Sequence, residues 1–118
     1  RYLARLCFID YDRAMALVAL ARNAEGAEEI VCVARYVKDH RGPEAEFAIV
    51  VGDAWQRKGV GAHTLERLIE TARAEGLTRL HGAVLGDNAG MLALCARTGF
   101  VRTGPPGPIV TVERALGG

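Results

Sequence analysis

The chain has 118 residues, half of them apolar and a quarter charged, which suits one globular domain with one core. Fifteen basic and 14 acidic residues leave a formal charge of +1, so nothing draws the whole chain toward nucleic acid or membrane, and any anion site must be local. No apolar run nears the roughly 20 residues that span a bilayer, and no signal-peptide pattern is present. Cys7, Cys32 and Cys95 are odd in number, far apart and without metal-ligand spacing. They are expected as buried or free thiols in a reducing cytoplasm, rather than as a disulfide or a metal site.

Leu3 and Leu6 are spaced as on one helical face, so Arg1 to Leu6 reads as the end of a helix whose start is missing, and the chain as a fragment of a longer protein. Ala14–Ala21, Ile30–Val37 and Glu46–Val51 are three short apolar runs separated by turn chemistry at Asn23–Gly26 and Asp39–Pro43, as in an antiparallel meander. After Trp55 the period becomes helical. Gly61, Leu65, Leu68, Ile69 and Ala72 share a face, Glu66, Arg67, Glu70 and Arg73 turn away, and Gly76 stands where a left-handed cap belongs. Leu80–Leu85 is a strand, and Asp87 or Asn88 caps a second helix that runs through Arg97 and stops at Gly99. Phe100–Thr103 is a short strand, Gly104–Pro108 a rigid turn, and Ile109–Arg114 a last strand. The order β-β-β-α-β-α-β-β predicts an α/β (α+β) fold, a mixed sheet with at least one parallel pair.

Between the third strand and the first full helix lies Gln56-Arg57-Lys58-Gly59-Val60-Gly61-Ala62. A helix N-terminus leaves backbone N–H groups unpaired and carries partial positive charge. Two glycines one residue apart let an anion approach that backbone, and Arg57 and Lys58 add full charges. A pyrophosphate suits such a loop. No Gly-Lys-Ser/Thr follows, which excludes a Walker loop, and the third glycine of a dinucleotide fingerprint is absent.

The loop, its position, Asn88 opening the second helix and Gly99-Phe100 ending it resemble the GNAT superfamily of N-acetyltransferases, over nearly the whole chain from about Ala14. Within it, "IDYDRAMALVAL", "ARYVKD" and "AEFAIVVGDAWQRKGVG" resemble the Pat-type protein-lysine acetyltransferases. The resemblance implies one acetyltransferase domain over residues 1–118 that lacks its N-terminal helices. It implies acetyl-CoA as cosubstrate with no metal, and a protein acceptor such as an acyl-CoA ligase. Ile49, Val50 and Val51 would pair by backbone with the pantetheine arm on a strand splayed from its neighbour. Arg57, Lys58, Gly59, Val60, Gly61 and Ala62 would hold the pyrophosphate, and Asn88 would stand near the pantetheine. Each has a plainer role as well: core strand for the first three, helix cap for Asn88.

Acetyl transfer needs a neutral amine, and lysine is protonated at pH 7, so a base must take a proton. Many relatives place a glutamate on the strand between the helices, where this chain has Ala83. Glu46 of Ala45-Glu46-Phe47 matches the other family location and is the expected general base, with an exposed or salt-bridged strand carboxylate as its plainer role. The tyrosine that serves relatives as general acid is replaced by Cys95, which reads as a buried helix cysteine before an acyl-accepting nucleophile. The N–H of Ile49 would stabilise the oxyanion. His63 reads as a solvated helix residue that could approach CoA, and His40 and His81 as turn and strand residues. Trp55 would anchor the loop. Asp10, Tyr11 and Asp12, read as preceding the first strand, could line an acceptor groove or form a plain loop. A small-amine acetyltransferase and a non-catalytic acyl-CoA-binding sensor are the alternative functions.

Overall fold

The computed structural model describes residues 2–40 and 42–117, and for residues 2–4 and 11 the backbone alone. Its elements are β1 (Tyr2–Tyr11), β2 (Ala14–Arg22), β3 (Glu28–Lys38), β4 (Glu44–Val51), a 3-10 turn (Asp53–Trp55), α1 (Val60–Ala74), β5 (Arg79–Leu85), α2 (Ala89–Arg97), β6 (Val101–Thr103) and β7 (Ile109–Ala115). They form one seven-stranded sheet in the order β1-β2-β3-β4-β5-β7-β6, antiparallel except for the β4–β5 pair. The expected mixed sheet is present, and its parallel pair flanks the expected helix. Neither helix is long and apolar enough to cross a membrane.

Strand alternation decides the two faces, because partners in register point the same way. Cys32, Ala34 and Tyr36 of β3 stand beside Val51, Ile49 and Phe47 of β4 and beside Ala19, Leu17 and Met15 of β2. This face packs against the buried stripe of α1: Val60, Gly61, Thr64, Leu65, Leu68, Ile69 and Ala72. α2 covers the same face further along, through Leu94, Cys95 and the Phe100 that follows it. The opposite face carries Ile9, Ile30, Val37, Val50, Leu85 and Ile109, all exposed. α1 ends as its sequence requires, with Gly76 at φ +86° and its N–H bonded to the Arg73 carbonyl.

Where a helix is expected over residues 1–6, residues 2–6 are instead the first half of β1, and Arg1 lies outside the described residues. A register shift between Leu3 and Arg5 explains the misleading spacing. Leu3 pairs with Ala21 and Leu6 with Ala19, so a bulge puts two residues three apart opposite partners two apart, which imitates a helical stripe. Consequently Asp10 and Asp12 do not precede the first strand. Asp10 lies in β1 opposite Met15, and Asp12, at φ +41°, turns the chain into β2.

Candidate functional site

The β4–β5 ladder is short. Glu44, Ala45 and Glu46 pair with Arg79, Leu80 and His81, and there the pairing stops. Beyond that point Phe47–Val51 stays in register with Tyr36–Cys32 of β3, while Gly82–Leu85 pairs with Val112–Ile109 of β7. The two strands therefore diverge as a V, and the β5-side backbone edge of β4 has no strand partner from Phe47 onward. The V opens where the Phe47 ring lies over Gly82 and against Phe100, ring centroids 4.4 Å apart.

At the open end β4 runs into the predicted loop. Gln56 Nε2 donates to the Val51 carbonyl and to Asp53 Oδ1, both at 3.3 Å, which ties the loop to the strand end. Arg57 (φ +63°) and Gly59 (φ +83°) are both left-handed, so the chain doubles back before Val60. The first helical bond runs from His63 N–H to the Gly59 carbonyl, 3.0 Å, leaving the amides of Val60, Gly61 and Ala62 without helical acceptors. Gly61 is where the two helices and the strand meet: a methyl group there would lie 3.0 Å from Val51 Cγ2 and 3.1 Å from Leu94 Cδ2. Across the gap Asn88 caps α2 by accepting the Met91 N–H at 3.1 Å. Two helix N-termini thus open onto one space, a convergence of partial positive charge.

That space is a cavity of about 670 Å³. Gln56, Arg57, Gly59, Gly61 and Ala62 form one wall, Asn88, Gly90, Met91, Ala93 and Arg97 the other, with Val51, Trp55 and Leu94 between. Among the described residues its charged lining residues are Arg57 and Arg97, with no carboxylate. A second, more open depression of about 540 Å³ at the β2–β3 turn is lined by Asn23, Ala24, Glu25 and Glu29 and offers an anion no cation.

The structure brings Val51, Arg57, Gly59, Gly61, Ala62 and Asn88 together around this cavity, as a shared ligand would require. Lys58 instead stands over the Trp55 ring, 5.9 Å from its centroid, and Val60 is buried beneath the loop. Ile49 packs on the helix face, whereas Val50 points to the opposite face and is 68% exposed. Gly52 N–H donates to the Val31 carbonyl across the β3 register, so by alternation the backbone groups of Val50 face β3 and those of Ile49 and Val51 face the V. Glu46 is exposed on that same opposite face, at the last paired position before the V opens. Beside it His81 Nε2 lies 3.0 Å from Asp39 Oδ2, and Arg79 bridges Glu44 and Glu113. Ligand atoms of Asp39, Glu44 and His81 all lie within 4.8 Å of one another, but the Arg79 guanidinium already bonds Glu44 at 2.7 Å. Cys95 is 1% exposed and burial pushes its thiol up, as expected of a core cysteine. His63 is an exposed helix residue and does not line the cavity.

Two features escaped the sequence reading. One is the α2 wall, signalled only by Gly90, Ala93 and Arg97 recurring at helical spacing after the cap. The other is the Asp39–His81 bond, which joins residues 42 apart and has no local signature.

Residues 2–100 match the model of the acetyltransferase (GNAT) family. An acetyltransferase of Pseudomonas aeruginosa is 32% identical over 99 residues, covering 84% of this chain and 53% of its own length. Acetyltransferase Pat of Mycolicibacterium smegmatis is 36% identical over 73 residues, 61% of this chain and 22% of that protein. A cAMP-binding acyltransferase from Mycobacterium smegmatis superposes with a TM-score of 0.75 at 29% identity, over 92% of this chain and 33% of that one. The chain thus spans about half the length of the first of these relatives and less of the others.

Proposed function

This chain belongs to the acetyltransferase (GNAT) family, and from that premise we propose that it moves the acetyl group of acetyl-CoA to an amine, a lysine side chain of another protein. One observation carries the reading. The V between β4 and β5 joins the cavity onto which both helix N-termini open, on the helix face, to the candidate base, Glu46, on the other face. The pyrophosphate would lie on the amides of Gly59 to Ala62 beside Arg57. The pantetheine arm would run along the Ile49–Val51 stretch of β4, pairing with the free backbone groups of Ile49 and Val51 on either side of Val50, near Asn88, and deliver the thioester toward the apex. Lys58 and Val60 would support the loop.

Glu46 takes a proton from the acceptor ammonium, directly or through water, and the neutral amine attacks the thioester carbonyl. As the C–N bond forms, the N–H of Ile49 stabilises the oxyanion. The nitrogen of the tetrahedral adduct releases its remaining extra proton to solvent, the C–S bond breaks, the coenzyme thiolate leaves, and solvent supplies its proton. Cys95 is too buried to serve as the acid. The stretches that resemble the Pat-type protein-lysine acetyltransferases support a protein lysine as acceptor, and an acyl-CoA ligase is the one to try first.

The test incubates the protein with acetyl-CoA and purified acyl-CoA ligases and locates acetyl-lysine by mass spectrometry. Acetylation is expected, and Glu46→Gln should slow it roughly 100-fold or more, the usual size of a lost general base. Turnover confined to small amines would replace the protein acceptor. Coenzyme binding without turnover on any amine would indicate a sensor, and undiminished activity of Glu46→Gln would remove Glu46 as the base.

A further inference from the structure

We infer that His81, held by Asp39, is a second base of the reaction: it takes the remaining extra proton from the nitrogen of the tetrahedral adduct and passes it to solvent. The inference rests on the acetyl-transfer reading and deepens it, because it names the group through which that proton leaves.

Three observations carry it. The first is position. Glu46 and His81 are partners in the β4–β5 ladder, at its last pair before the V opens, on strands about 4.8 Å apart. Their chain neighbours Ala45, Phe47, Leu80 and Gly82 are buried toward the helices, so both side chains turn to the opposite face. An amine within reach of Glu46 is therefore beside His81. The second is orientation. His81 Nε2 lies 3.0 Å from Asp39 Oδ2, and an ionised carboxylate only accepts. The neutral ring thus carries its proton on Nε2 and keeps a lone pair on Nδ1, the tautomer a base needs. The third is the disposition of the other charges. The row of Glu46 and His81 continues to Glu113 of β7, with Glu44 and Arg79 one step away. Arg79 bonds both Glu44 and Glu113, so Asp39 is the carboxylate given to the ring, and among the described residues Glu46 has no ion-pair partner. The His81 and Asp39 side chains are 29% and 33% exposed, which leaves the pair open to water.

The chemistry needs such a group. An ammonium loses one proton before it attacks and another afterwards. Glu46 holds the first as the C–N bond forms, and while it does so it cannot accept the second. Until the second is lost, the adduct nitrogen is a better leaving group than the thiolate. At His81 the N–H bond of the adduct breaks, its electron pair stays on nitrogen, and the proton binds Nδ1. The imidazolium is stabilised against the Asp39 carboxylate and gives its proton to water. A plainer role exists for the Asp39–His81 bond, a tie between the β3–β4 connection and β5 that contributes stability alone.

Rate measurements separate the two roles, with the acceptor that the wild type turns over, a purified acyl-CoA ligase in the first instance. His81→Ala should lower kcat roughly 100-fold, while calorimetry gives an acetyl-CoA affinity within about twofold of the wild type. That retained affinity also reports that the variant is folded. Added imidazole should raise the His81→Ala rate about fivefold or more, because a free base enters the vacated space. Asp39→Asn should be slow as well, yet not rescued: its NH2 group donates to Nε2, moves the ring proton to Nδ1 and removes the lone pair, while the ring still fills the site. NMR of ¹⁵N-labelled histidine should show the neutral wild-type ring protonated on Nε2. Undiminished kcat in His81→Ala, a lowered kcat that imidazole does not raise, or a neutral ring protonated on Nδ1 overturns the inference and leaves the acetyl-transfer reading intact. Failure of the folded wild type to acetylate any amine overturns both.

Discussion

Gly82→Ala should be the most informative single-methyl change in this sheet. A Cβ at position 82 would lie 2.6 Å from Phe47 Cε1, 2.9 Å from Cδ1 and 3.0 Å from the Phe47 carbonyl oxygen. The ring cannot retreat freely, because it stacks on Phe100, and the carbonyl belongs to a strand held in register by β3. Overpacking a filled core by one carbon costs about 1–3 kcal/mol. Taking about 2 kcal/mol, and roughly 3–6 °C per kcal/mol for a domain of this length, the midpoint should fall by about 6–12 °C. Thermal melts followed by circular dichroism would measure it. Phe47→Leu should be destabilising alone, yet the double variant should recover about 1 kcal/mol or more relative to the sum, because the smaller side chain vacates the contact. A Gly82→Ala variant melting within 1 °C of the wild type, or strict additivity with Phe47→Leu, would refute the claim that this glycine makes room for the ring at the apex of the V.

Tyr36 is fully buried and its hydroxyl donates to Glu75 Oε1 at the end of α1. Burial, with the Glu75 carboxylate second, holds its phenol well above the ordinary value near 10. The folded state then keeps a proton that the unfolded chain releases, so this contribution is complete below about pH 10 and is lost as pH rises beyond it. Urea denaturation at pH 8 and pH 10.5 should show the wild type losing more stability than Tyr36→Phe; equal losses would contradict the assignment. The buried thiols give a second check. Burial raises Cys32 and Cys95, so at pH 8 in the folded protein a thiol reagent should modify the half-buried Cys7 first, and the other two only after denaturation. Labelling of Cys95 as fast as Cys7, read by peptide mass spectrometry, would contradict the packing of α2.

Much of the site was legible because its signals are local. A left-handed glycine before a helix, paired small residues and an asparagine three residues before Met91 follow from backbone chemistry within a few positions, and the structure shows them at 59, 61 and 88. The amphipathic stripe of α1 likewise depends only on its own period. β1 was misread because a bulge is a register event between two strands, and one strand alone cannot reveal it. Arg97 and the Asp39–His81 pair become visible only when distant elements are brought together. The side of the sheet to which Glu46 points follows from its register with Val37 and His81, which the order of elements does not specify.

Acetyl-CoA titration of the wild type and of Gly59→Glu tests the central claim most directly. A Cβ at Gly59 would meet nothing within 4 Å, and its left-handed backbone adds strain of about 1–2 kcal/mol. The carboxylate would stand where the pyrophosphate is to lie. The account predicts saturable binding by the wild type and a loss of affinity of roughly 100-fold or more in a Gly59→Glu variant that still melts cooperatively. Undiminished binding by that variant, or none by the folded wild type, would contradict it.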